Sequence, residues 1–172
     1  MTSLAITVLG HDRPGIIAET TARLADLGLN LEDSSMTRLR GHFAMTLVCA
    51  GPAEPSDVEA ALSGLTSDGT LSISVLAVPE EPAVASTGTP WLLTVHGADR
   101  PGIVSSVVAE VAAVGGNITD LTTRLTGDLY VLVAELDLPS DVDVAALDAA
   151  IDDVAARLGV GATLRRAEAD DL

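Results

Sequence analysis

Residues 3–9 alternate, with Leu4, Ile6 and Val8 on one side and Ala5, Thr7 and Leu9 on the other, the period of a β-strand. Gly10 is expected to break that strand. Asp12-Arg13-Pro14 then reads as a helix start, because Asp caps well and proline is tolerated in a first turn. Ile17, Thr20, Leu24 and Leu27 follow at helical spacing, and Gly28 closes the helix as a left-handed cap. A second strand is expected over 30–39, a turn at Arg40-Gly41, and a third strand over 42–50. In the third, Phe43, Met45 and Leu47 alternate with Ala44, Thr46 and Val48. Val58, Leu62 and Leu65 predict a helix over 55–65, and Leu71, Ile73 and Val75 a fourth strand that stops at Pro79.

The same order then recurs. A strand over 91–96 leads to a helix over 101–114, with Val104, Val107, Val111 and Val114 on one face and Gly115-Gly116 at its end. Strands over 117–125 and 128–137 precede a helix over 141–158, carrying Leu147, Ile151, Val154 and Leu158, and a short strand over 162–166. Gly10-His11-Asp12-Arg13-Pro14-Gly15-Ile16 reappears as Gly97-Ala98-Asp99-Arg100-Pro101-Gly102-Ile103, and Asn30 as Asn117, both at an offset of 87 residues. Matching Gly41-His42-Phe43 to Gly127-Asp128-Leu129 shortens the offset to 86 and puts one extra residue in the first copy's second strand. Such an insertion predicts a bulge or an edge there.

One small domain used twice accounts for the pattern. The expected boundaries are 1–79 for the first domain, 80–89 for an acidic, Pro- and Gly-containing linker, and 90–172 for the second. Each half reads strand–helix–strand–strand–helix–strand. The fold class is α+β: two tandem ferredoxin-like βαββαβ domains, each an antiparallel four-stranded sheet with two helices on one face. Both sides of the third strands are apolar (Tyr130, Leu132, Ala134 against Leu129, Val131, Val133), so the uncovered face or edge is expected to pack on another sheet, within the chain or across a homodimer.

Composition narrows the function. The chain is 48% hydrophobic with one Trp, one Tyr and one Phe, which leaves an aliphatic core and no stacking platform for bases or flavins. Nine basic residues face 25 acidic ones, a net charge of -16, so neither direct nucleic-acid binding nor an anionic membrane surface is expected. Every basic residue is Arg. Without Lys there is no Schiff-base chemistry, pyridoxal phosphate attachment or Walker-type loop, and no cofactor is expected. A single cysteine, no leader-like N-terminus and no apolar run near the roughly 18 residues of a membrane span point to a cytoplasmic protein.

The βαββαβ unit opening on Gly-x-Asp-Arg-Pro-Gly-Ile and continuing to Gly-x-Asn resembles an ACT domain, a small regulatory module that binds amino acids. Two in tandem resemble the glycine cleavage system repressor-like group. The resemblance implies a ligand where the first strand–helix loop meets a partner domain's strands. It implies contacts from Asp12, Arg13, Pro14, Gly15, Ile16 and Asn30, and from Asp99, Arg100, Pro101, Gly102, Ile103 and Asn117. It further implies a small free amino acid as ligand, and a protein partner (an enzyme or a transcription factor) that reads the bound state. That is regulation of the glycine and serine metabolism kind; the alternative is a detached regulatory subunit of an amino-acid-metabolism enzyme.

The chemistry is consistent with that expectation. A helix N-terminus offers unpaired N–H groups to a carboxylate, an Asp pairs with an ammonium, and an Asn gives both a donor and an acceptor. Each residue also has a plain structural reading: Asp12 and Asp99 as helix caps, Pro14, Gly15, Pro101 and Gly102 as turn formers, Arg13 and Arg100 as partners of acidic neighbours, Asn30 and Asn117 as residues after a helix. The histidines do not repeat, since His11 falls on Ala98, His42 on Asp128 and His96 on Leu9, so neither catalysis nor a metal is assigned to them. Cys49 reads as a small buried hydrophobe. No nucleophile–base pair is visible, and the chain is expected not to be an enzyme.

Overall fold

A computed structural model describes residues 2–79 and 88–167. The chain divides into two compact units, Met1–Ala83 and Val84–Leu172. Most of the expected linker, and the acidic tail beyond residue 167, lie outside the described residues.

The first unit runs β1 (Thr2–His11), α1 (Ile16–Asp26), β2 (Asn30–Leu39), β3 (His42–Gly51), α2 (Pro55–Thr66) and β4 (Leu71–Val78). Its antiparallel sheet has the order β2-β3-β1-β4. Leu4, Ile6 and Val8 of β1 are fully buried, together with Phe43, Met45, Leu47 and Cys49 of β3 and Val58 and Leu62 of α2. The second unit runs β5 (Thr89–Ala98), α3 (Ile103–Ala113), β6 (Asn117–Thr126), β7 (Leu129–Leu138), α4 (Val144–Leu158) and β8 (Val160–Arg166), in the order β6-β7-β5-β8. Leu93, Val95, Val107, Leu132 and Ile151 centre its core. These are the expected ferredoxin-like repeats. No helix among the described residues is long and apolar enough to cross a membrane.

Several local expectations give way. Gly10 does not break β1, which continues through it to His11. Gly10 sits between Phe43 and Leu71 in the ladder, where a Cβ would collide with the Thr70 carbonyl and stand 2.8 Å from Leu71 Cα. The glycine serves a close strand approach rather than a stop. The helices begin later than Asp12 and Asp99. Their N-caps are Gly15 and Gly102, both at φ 93 in the left-handed region, and no side chain caps either helix. That delay turns Ile16 rather than Ile17 inward: Ile16, Thr20 and Leu24 are buried, and Ile17 is 42% exposed.

The one-residue insertion does not exist. Leu4 pairs with Cys49 as Trp91 pairs with Leu136, and Leu39 pairs with His42 as Thr126 pairs with Leu129, so the offset stays at 87 throughout. Both edge strands carry a bulge at one shared place, between Leu31 and Asp33 and between Ile118 and Asp120. The glycines that suggested an insertion sit at different positions of two-residue turns. Arg40 (φ 49) and Gly41 (φ 86) are both left-handed, whereas in Gly127-Asp128 only Gly127 (φ 60) is. The first is the pattern of a type I′ hairpin and the second that of type II′. His42 therefore corresponds to Leu129, not Asp128.

Candidate functional site

The β1–α1 loop is anchored at its start by main-chain bonds. His11 N–H donates to the Thr70 carbonyl (2.9 Å) and Asp12 N–H to the Gly41 carbonyl (3.1 Å). Pro14 and Gly15 then turn the chain into α1, whose first bond runs from Glu19 N–H to the Gly15 carbonyl (2.9 Å). The N–H groups of Ile16, Ile17 and Ala18 precede that bond and have no acceptor within the helix. The second unit repeats this, with Ser106 N–H donating to the Gly102 carbonyl at 3.0 Å. Caps elsewhere use side chains: Asp143 accepts from Ala146 N–H in α4 (3.1 Å), and Asp57 accepts from Glu54 N–H in α2 (3.2 Å). Among the described residues no side chain accepts from the first N–H groups of α1 or α3.

Asp12 is not the cap of α1. Its carboxylate accepts from Arg38 Nη1 at 3.3 Å, and the Arg38 side chain is 68% exposed. Arg13 stands 3.8 Å from Glu19. Near this loop the Asp68 carboxyl is held below its usual range, first by hydrogen bonds from the Thr70 hydroxyl (2.7 Å) and N–H (2.9 Å), then by the charge of Arg13. In the second unit Asp99 makes no ion pair or side-chain hydrogen bond with a described residue, and Leu125 occupies the position of Arg38. The Arg100 guanidinium lies over Gly159, about 3.7 Å from where a Cβ would stand.

Pro14, Gly15, Pro101 and Gly102 are exposed, so the loop surface is open in both units. The Ile16 and Ile103 side chains are buried (1% and 2% exposed), leaving only their main-chain N–H groups for a ligand. Asn30 and Asn117 are exposed but lie at the other end of the sheet. Asn30 is level with Ala50 and, through it, Ser3, and Asp12 is nine residues further along β1. At about 3.3 Å per residue that is roughly 30 Å. Within one unit the fold does not bring Asp12 and Asn30 together, nor Asp99 and Asn117. Arg38 was not singled out by the sequence, because it lies 26 residues beyond Asp12 and only the hairpin brings the two together.

Cys49 is fully buried, and burial pushes its thiol pKa up, as suits a core position. Among the described residues no group of three or more His, Cys, Asp or Glu is placed to hold a metal ion.

The repeated fold with its glycine-opened helices defines a class. The ACT domain family model matches residues 2–75 and 89–164, and the chain belongs to that family, with two ACT domains in tandem. The glycine cleavage system transcriptional repressor of Escherichia coli is 29% identical over 122 residues, covering 70% of this chain and 64% of that protein. A UPF0237 protein of Methanopyrus kandleri is 48% identical over 48 residues, 28% of this chain and 53% of that one. The chain thus spans between half and two thirds of the length of these two relatives. A protein of Galdieria sulphuraria, described as unknown, has the same fold with a TM-score of 0.78 at 26% identity, covering 97% of this chain and 99% of its own.

Proposed function

We propose that the protein is a non-enzymatic sensor of a small free amino acid. The observation that carries this reading is the pair of uncapped helix N-termini, each opening on a left-handed glycine with an Asp three residues ahead. In each unit the free N–H groups would take the ligand carboxylate, and Asp12 or Asp99 its ammonium. The exposed Pro-Gly turn leaves little depth for a side chain, which favours glycine, serine or a similar ligand. The name of the Escherichia coli relative, a glycine cleavage system transcriptional repressor, supports the same ligand class.

Asn30 and Asn117 reach such a ligand only from another ACT domain. Antiparallel pairing of edge strands β2 or β6 with a second copy of the chain would set the start of one strand beside the end of the other, and so the Asn beside the loop. Leu31, Met36, Leu121 and Leu125 on those strands are 38–48% exposed and would gain burial in such a homodimer. Ligand binding would then favour one arrangement of the domains, and a protein partner with a basic surface, an enzyme or a transcription factor, would read it.

The test is a thermal-shift panel of free amino acids on wild type, Asp12→Ala and Asp99→Ala. Ligand at a hundred times its dissociation constant adds about 2.7 kcal/mol. A raised Tm with a small amino acid, reduced in one variant or both, is the expected result. No shift with any amino acid in the wild type overturns the reading.

A further inference from the structure

We propose that His11 and His42 form a binding site for a late first-row divalent metal ion, Ni2+, Cu2+ or Zn2+, on the helix-free face of the first unit. The two residues are far apart in sequence but directly opposite in the β1–β3 register. The bond from Asp12 N–H to the Gly41 carbonyl joins the residues flanking them, which makes His11–His42 a non-hydrogen-bonded cross-strand pair. In such pairs the Cα atoms are only about 4.5 Å apart and the side chains stand closest. The two rings already meet, with centroids 5.9 Å apart and planes at 83°. A metal about 2.1 Å from one nitrogen of each ring holds the two centroids within roughly 6.5 Å. Side-chain rotation alone can close the chelate.

The chemistry of the donors supports the choice of ion. Both imidazoles are exposed, and neither makes a hydrogen bond or ion pair with a described residue, so their nitrogens are available. Imidazole nitrogen suits Ni2+, Cu2+ and Zn2+, with Cu2+ the tightest at a given nitrogen site. Water would complete the coordination, since among the described residues no third His, Cys, Asp or Glu is placed to join the pair. The second unit has Ala98 and Leu129 at the equivalent positions and lacks the pair. A metal here would tie the end of β1 to the start of β3, next to Asp12.

The site is tested on the full chain with the metals alone. Calorimetric titration and thermal unfolding with NiCl2, CuCl2 or ZnCl2 in a non-chelating buffer compare wild type with His11→Ala, His42→Ala and His96→Ala. Expected is one ion per chain with a raised Tm, weakened at least about tenfold by His11→Ala or His42→Ala, because each removes half of the chelate, and unchanged in His96→Ala. Both substituted positions are exposed, and metal-free circular dichroism confirms that each variant is folded. Absence of saturable binding by wild type, or binding retained in both His11→Ala and His42→Ala, overturns the proposal.

Discussion

The loop of the first unit carries an aspartate tied to an arginine, and the loop of the second carries one with no ion pair among the described residues. Register, bulge and left-handed cap are shared, and the side chain that pairs with Asp12 stands on the neighbouring edge strand, where Arg38 of β2 is matched by Leu125 of β6. In the proposed sites a ligand ammonium would meet Asp99 directly, but at Asp12 it would have to displace or share the Arg38 guanidinium. An exposed ion pair of that kind is worth about 0.2–1 kcal/mol, so two sites of one design would differ in affinity by only a few-fold. Duplication here preserves geometry and varies the charge around it.

The largest effect expected concerns the glycine in each first strand. Gly10→Ala would drive a methyl into the Thr70 carbonyl, a backbone atom that cannot rotate away. Gly97→Ala meets the Val160 side chain first, with Cγ1 at 2.7 Å and Cα at 3.0 Å. Overpacking costs about 1–3 kcal/mol where neighbours adjust and more where they cannot. Urea unfolding should therefore place Gly10→Ala at or above the top of that range and Gly97→Ala within it. Equal losses would show that the two approaches are equally tight.

A smaller effect separates the helices. Thr20 of α1 is fully buried and its hydroxyl has no hydrogen-bond partner among the described residues, and Val107 holds the same place in α3. Thr20→Val should stabilise the protein by about 1 kcal/mol, and Val107→Thr should cost about 1–3 kcal/mol, because a buried hydroxyl without a partner loses its hydration. Denaturant midpoints check both, and a destabilised Thr20→Val would mean that the hydroxyl has a partner.

The smallest concerns the site itself. Arg38→Leu, which copies the second unit, should change stability by less than about 1 kcal/mol while tightening amino-acid binding at Asp12. Titration of the variant in an Asp99→Ala background isolates that site, and weaker binding there would make Arg38 a ligand contact.

Much of this was legible in the sequence. The alternation of Leu4, Ile6 and Val8, and the helical spacing of Val58, Leu62 and Leu65, fix which faces are buried, and the repeated loop marks its own importance. The start of α1 falls later than the match of Asp12 and Pro14 to a helix start predicts, because the chain takes Gly15 in a left-handed conformation before the first turn forms. The supposed insertion came from aligning Gly41 with Gly127. Two turn types place their glycines differently within equal lengths, and a slip of one residue swaps the faces of a strand. It made Arg38 and Arg124 look equivalent, although Arg38 shares the helix-covered side with Phe43 and Arg124 pairs with Val131 on the opposite side. The contacts Asp12–Arg38 and His11–His42 join residues from separate elements and carry no local signal.

The shared bulge has a consequence for how far assembly can run. Each sheet ends in two unlike edges, β2 and β4 in one unit and β6 and β8 in the other. Joining unlike edges is head-to-tail and need not close, so copies could add without limit into a fibre, whereas a single pair of like edges joins two copies about a dyad. Only β2 and β6 carry the irregular step, with Asp33 and Asp120 beside it. A regular edge laid against that step loses its hydrogen-bond match and meets a charge. One additional residue per strand thus makes β2 and β6 poorer templates for the regular edges β4 and β8.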